Sequence, residues 1–239
     1  MNEVFYVKYF SGGYYVATPL ERADYMDKNL LPDKIVSASE CICNFHPNID
    51  VLWEGSNKDK QKYAQELGIS MNTYDEMEKW IDKKFEEKTF SFPQLFTTID
   101  LAKEFCNQYL YQCKDIKILG IGLPEIFVDE FLGQEETLLK PDKERYGIEK
   151  LLINKVLIME KGAEMRGYEV LGFEFGKFHS YICNGLEKDY HAKFNFSLNE
   201  NGCIPTLEEA ITYCEYSNGE EIGTEPVLWL PWAIYEYKL

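Results

Sequence analysis

The stretch Tyr168–Asn184, YEVLGFEFGKFHSYICN, decides the fold class. Apolar and polar residues alternate on both sides of Gly176-Lys177, and a two-residue loop opening on glycine suits the tight turn between antiparallel strands. The run reads as a β-hairpin. A loop at 176–177 sets Glu174 opposite His179, Gly172 opposite Tyr181 and Val170 opposite Cys183. One face then carries Leu171, Phe173, Phe175, Phe178 and Ile182 and is core. The other gathers Glu174, His179, Tyr181 and Cys183 around the small Gly172.

Working outward, Tyr190–Leu198 alternates as a third strand, and Val227–Leu239 closes the chain as a strand bent at Pro231. Between them Thr206 and Glu209 form a capping box, opening a helix that ends at Ser217-Asn218-Gly219. Upstream, Glu149–Met159 is too apolar for its period to separate helix from strand, and its length favours a helix. Ile116–Ile121 reads as a strand, followed by a short helix after Pro124 that stops at Gly133, and Gln134–Gly147 as a polar connection. In the first half, Phe5–Phe10 and Tyr14–Thr18 read as a hairpin about Ser11-Gly12-Gly13. Helices follow over Asn57–Leu67, stopped by Gly68, from Thr73 with a Thr73/Glu76 capping box, and from Ile99 to about Tyr111. The fold class is α+β: mainly antiparallel sheet with helices packed on one side and hairpins at the N-terminus and in the C-terminal third. One domain over 1–239 is expected, with two lobes as the alternative, helix-rich over about 1–135 and strand-rich over about 147–239.

Charge is the strongest global signal. Against 25 Lys and Arg stand 41 Asp and Glu, a net −16, and such a field repels nucleic acid. Lys83, Lys84 and Lys88 sit beside Glu86 and Glu87, and Lys140, Lys143 and Arg145 are mixed with Asp142 and Glu144, so no sustained basic stripe offsets it. No apolar run reaches the length of a membrane span; Leu151–Met159, among the longest, is broken by Asn154 and Lys155. The start Met1-Asn2-Glu3 lacks the basic and apolar regions of a signal peptide, and seven cysteines without framework spacing suit reduced thiols. A soluble cytoplasmic protein without nucleic-acid or membrane partners is expected. The 17 Tyr and 15 Phe fall mostly in alternating segments, where they fill core and sheet.

Local chemistry is sparse. Glu174 across from His179 could orient an imidazole as a general base, with Tyr181 or Cys183 assisting; the competing reading is a half-exposed cross-strand ion pair. Cys183 and His179 cannot form a dyad along one strand, because four residues separate their Cα atoms by roughly 13 Å. His191 is the other nearby histidine in sequence. Cys41, Cys43 and His46 form Cys-x-Cys-x-x-His but lack a second ligand pair, so inward packing of both cysteines is favoured over metal. Gly120-Ile121-Gly122 before a helix lacks the third glycine of a dinucleotide loop, and Glu125 stands where phosphate would bind. Acidic pairs such as Glu208-Glu209 are adjacent and do not face each other across a cleft, as glycoside hydrolysis needs. No cofactor or metal is therefore expected, and no feature sets an oligomeric state. The leading functional expectation is an acidic binding or inhibitory protein engaging a basic protein partner, of which an immunity protein against a basic toxin is one example. The alternative is a small-molecule enzyme built on Glu174 and His179.

Overall fold

The computed structural model describes residues 7–91, 94–135, 147–174, 176–219 and 226–239. The first part contains β1 (Tyr9–Glu21), β2 (Lys34–Ile35), β3 (Cys43–His46), α1 (Ile49–Trp53), α2 (Asn57–Leu67) and α3 (Met71–Glu86). Then come β4 (Phe90–Ser91), β5 (Leu95–Phe96), α4 (Ile99–Tyr109), β6 (Lys117–Pro124), a 3-10 turn at Glu125–Phe127 and α5 (Val128–Glu135). The rest is α6 (Gly147–Ile153), β7 (Ala163–Glu174), β8 (Lys177–Ser180), α7 (Leu186–Phe194), α8 (Leu207–Ser217) and β9 (Trp229–Tyr237). The fold is α+β, as expected, around one nine-stranded antiparallel sheet. Its main path runs β4-β5-β1-β6-β9-β7-β8, with β2 and β3 also paired to β1. Strands of the first half, β4-β5-β1-β6, thus lie on one side of the sheet and those of the second half, β9-β7-β8, on the other, joined where β6 pairs with β9.

The middle strands are buried at nearly every residue, from Ile118 to Pro124 and from Trp229 to Tyr235, so their runs are apolar rather than alternating. Pro231 is tolerated in β9 because β6 pairs with β9 only over Ala233–Tyr237, leaving no β6 partner beside the proline. Gly120 and Gly122 lie within β6, where a Cβ on Gly120 would sit 2.8 Å from the Tyr237 ring. They make room for aromatics and form no phosphate loop.

Several helix signals hold. Gly68 ends α2 at φ +69°, and Thr206 with Glu209 caps α8 reciprocally. Others shift. The start of α3 is set by Ser70, whose hydroxyl accepts from the Thr73 N–H at 3.1 Å, so Thr73 is already helical. The segment expected as a helix to Met159 leaves it after Ile153; Val156 and Ile158 then hydrogen-bond to the edge of β1.

Two strand expectations are corrected. Ser11-Gly12-Gly13 is no hairpin turn but a bulge within one strand, the register against β6 slipping by one residue between Ser11 and Tyr14. Gly13 takes φ +97° there. Tyr190–Leu198 is no strand: Leu186, Tyr190 and Phe194 recur every four residues and form α7, a period the apparent alternation concealed. Gln134–Gly147, expected as a polar connection, falls almost wholly outside the described residues, as do the first residues of the expected N-terminal hairpin.

Candidate functional site

The β7–β8 hairpin exists, but its loop sits one residue earlier than the glycine-first reading places it. The ladder pairs Glu174 with Lys177, Gly172 with His179 and Leu171 with Ser180, and Gly176 supplies its positive φ of 81° at the second loop position. Side-chain parity is unchanged, so the two faces survive; Phe175 lies outside the described residues. Glu174 and His179 become diagonal neighbours, with Oε2 to Nε2 at 3.9 Å and both side chains half-buried. Beside them Lys177 pairs with Glu40 at 2.5 Å, and that carboxylate raises the Lys177 pKa.

Tyr181 does not share this face. The strand ends at Ser180, and the following turn drives Tyr181 into the core, stacked on Tyr190 at 5.5 Å and 1 % exposed. Burial pushes its phenol well above the ordinary range, so it keeps its proton.

Cys183 emerges from the same turn and meets a group that sequence spacing does not connect to it. Glu169 of β7 is buried, and its carboxylate accepts from the Ser37 hydroxyl at 2.5 Å and the Ala38 N–H at 3.1 Å. Burial pushes its pKa up, against those hydrogen bonds. This anchor holds the segment before β3. Ser39 bridges next: its hydroxyl accepts from the Cys41 N–H at 3.3 Å and lies 3.5 Å from Cys183 Sγ. Cys41 and Cys183 are therefore neighbours across the Ser39 hydroxyl, Cys41 exposed and Cys183 half-buried. The neighbouring Cys183 thiol pulls the Cys41 pKa down to about 6, helped by Ser39 and by His179 and opposed by burial and Glu40. The neighbouring Cys41 and burial drive Cys183 the other way.

The Cys-x-Cys-x-x-His run does not converge, and Cys41 does not pack inward. Cys43 is buried with its sulfur accepting from the Ser37 N–H at 3.2 Å, and His46 is committed to Thr18 and Tyr63. Among the described residues no three His, Cys, Asp or Glu side chains are placed to share a metal. His191 sits on α7, with Nδ1 at 3.0 Å from the Phe196 carbonyl oxygen. Five further cysteines, Cys43, Cys106, Cys113, Cys203 and Cys214, all have pKa values raised by burial.

The charge is unevenly laid out. From residue 194 to 237 the chain contains Glu200, Glu208, Glu209, Glu215, Glu220, Glu221, Glu225 and Glu236 and no Lys or Arg. On α8, Glu208 and Glu215 are exposed, with Tyr216 half-buried between α8 and Phe194 of α7. Glu130 of α5 adds to the field, since both it and Glu215 raise the pKa of buried Cys214. Among the described residues no helix is long and apolar enough to cross a membrane. Comparison with protein families, with curated proteins and with solved structures yields no significant match.

Proposed function

We propose that this chain is a binding or inhibitory protein that engages a basic protein through the acidic surface of α8. The observation that supports it is the sequence run 194–237, eight carboxylates without one Lys or Arg, of which Glu208 and Glu215 are exposed on α8. Such a field speeds encounter with a cationic surface and selects against anionic ones, which is also why nucleic acid is not the proposed partner. Seven free cysteines fit a cytoplasmic setting.

The test is a basic partner captured from the native cell and then titrated in purified form. Affinity should fall steeply between about 0.01 M and about 1 M salt, as the Debye length drops from about 30 Å to about 3 Å. Reversing Glu208 and Glu215 to Lys should weaken binding about a hundredfold, roughly 1.4 kcal/mol for each charge, while reversal of the exposed Glu66 and Glu76 leaves it unchanged. Salt-insensitive binding, or equal loss from both pairs, rejects the proposal.

The 3.9 Å approach of Glu174 and His179 favours a second reading, a small-molecule enzyme with these two as an acid/base pair. Glu174→Gln and His179→Ala would then abolish turnover and spare partner binding.

A further inference from the structure

Cys41 differs from every other thiol of the chain. It is exposed, and the Ser39 hydroxyl joins it to a second thiol, accepting from the Cys41 N–H at 3.3 Å and lying 3.5 Å from Cys183 Sγ. Four of the remaining cysteines are buried and Cys113 is half-buried. A thiolate is the reactive form of cysteine, and accessible thiolates beside a second thiol are the ones that oxidise reversibly. The pair is also held from both ends. Glu169 anchors the Ser37–Ser39 segment, and the Cys183 N–H donates to the Ser180 carbonyl at 2.9 Å in the turn closing β8.

We propose that Cys41 and Cys183 form a reversible dithiol–disulfide centre whose oxidant is a small hydroperoxide, with Cys41 as the attacking sulfur and Cys183 as the resolving one. In the first step the Cys41 thiolate attacks the terminal hydroperoxide oxygen. The S–O bond forms as the O–O bond breaks, leaving Cys41 as sulfenic acid, and the released alkoxide (hydroxide from hydrogen peroxide) takes up a proton. In the second step Cys183 sulfur attacks the Cys41 sulfur; the S–S bond forms, the S–O bond breaks, and the departing hydroxide leaves as water with the Cys183 proton. Two thiols and one hydroperoxide thus give one disulfide, one alcohol or water, and one further water. Return to the dithiol needs an external dithiol reductant, which is oxidised to its own disulfide by two exchange steps. The half-buried position of Cys183 and the hydroxyl of Ser39 keep the resolving sulfur beside the attacking one, so the sulfenic acid is short-lived.

The experiment treats the reduced full chain with about one equivalent of hydrogen peroxide, alkylates the remaining thiols and maps them by peptide mass. Two of the seven thiols should disappear, joined as a Cys41–Cys183 disulfide within one chain, and dithiothreitol should restore both. With Cys183→Ser, Cys41 should stop at sulfenic acid and be trapped by a carbon nucleophile such as dimedone. With Cys41→Ser, the peroxide rate should fall by about a hundredfold or more. Oxidation spread over other cysteines, a disulfide between two chains, or unchanged kinetics in Cys41→Ser overturns the proposal. A pair oxidised by glutathione disulfide and untouched by peroxide overturns the hydroperoxide assignment. Mapping of the unmutated chain decides the matter even if a variant does not fold, and neither result bears on the acidic face of α8.

Discussion

Trp232→Ala is expected to destabilise the fold by about 3–5 kcal/mol, a large share of the ~5–15 kcal/mol that holds a domain of this kind together. Trp232 is fully buried on β9, edge-on to Phe131 of α5 at 5.6 Å and to Phe178 of β8 at 5.1 Å. Truncation removes contacts to both α5 and β8 and leaves a cavity that rigid strands cannot close. The opposing wall is Gly12, in the β1 bulge, where an added Cβ would lie 2.6 Å from the Trp232 ring and 2.9 Å from Ile121. Gly12→Ala alone should therefore cost about 1–3 kcal/mol by overpacking. In the Trp232→Ala background much of that clash disappears, so the two substitutions should couple by about 1 kcal/mol or more. Urea unfolding of the four proteins of the cycle, with an unchanged slope, measures this. Strict additivity would mean that Gly12 is not the wall against which the indole packs.

That pairing shows where sequence reading reaches its limit. Ser11-Gly12-Gly13 carries every sign of a turn, yet tertiary demand makes it a bulge: the glycines admit Trp232 and Leu95, an added Cβ on Gly13 falling 1.7 Å from the latter. Signals complete within a few residues transfer directly to the structure, as with Gly68 and the Thr206/Glu209 box. Tyr190–Leu198 fails because positions 190 and 194 satisfy both a two-residue and a four-residue period, and the partners on α8, Tyr213 and Tyr216, select the helix. The same division holds for the site. Glu174 and His179 are readable together because one hairpin contains them, even with its loop misplaced by a residue. Cys41 and Cys183 are not, since their meeting depends on a buried carboxylate, Glu169, fastening a loop from far upstream. Nothing local to Cys41 distinguishes it from Cys43.

Acid should unfold this protein through His46 in particular. The ring is 9 % exposed, stacked parallel to Tyr63, with Nε2 at 2.9 Å from the Thr18 hydroxyl and Nδ1 at 2.9 Å from the Tyr63 hydroxyl. The Tyr63 oxygen already accepts from the Asn48 N–H at 2.9 Å, which leaves its own proton to donate to Nδ1 and makes Nε2–H the donor to Thr18. The neutral ring is thereby fully satisfied. A second ring proton would face the proton that the Tyr63 hydroxyl donates to Nδ1, and burial lowers the His46 pKa from 6.5 to about 4. Below pH 6.5 the unfolded chain binds a proton that the folded one refuses, so stability falls with pH until about 4. At about 1.4 kcal/mol per pH unit, the loss is about 3 kcal/mol. Buried Glu169 acts in the opposite sense, because its raised pKa lets the folded state take a proton first as pH falls. Comparison with His46→Gln cancels that contribution and isolates the histidine. Denaturation from pH 7 to 4 should show the wild-type curve descending more steeply than the variant by about 3 kcal/mol. The His46 ring resonances should stay at their neutral positions down to about pH 5; a ring that titrates near 6.5 would show that its charged form is accommodated and that the slope has another origin.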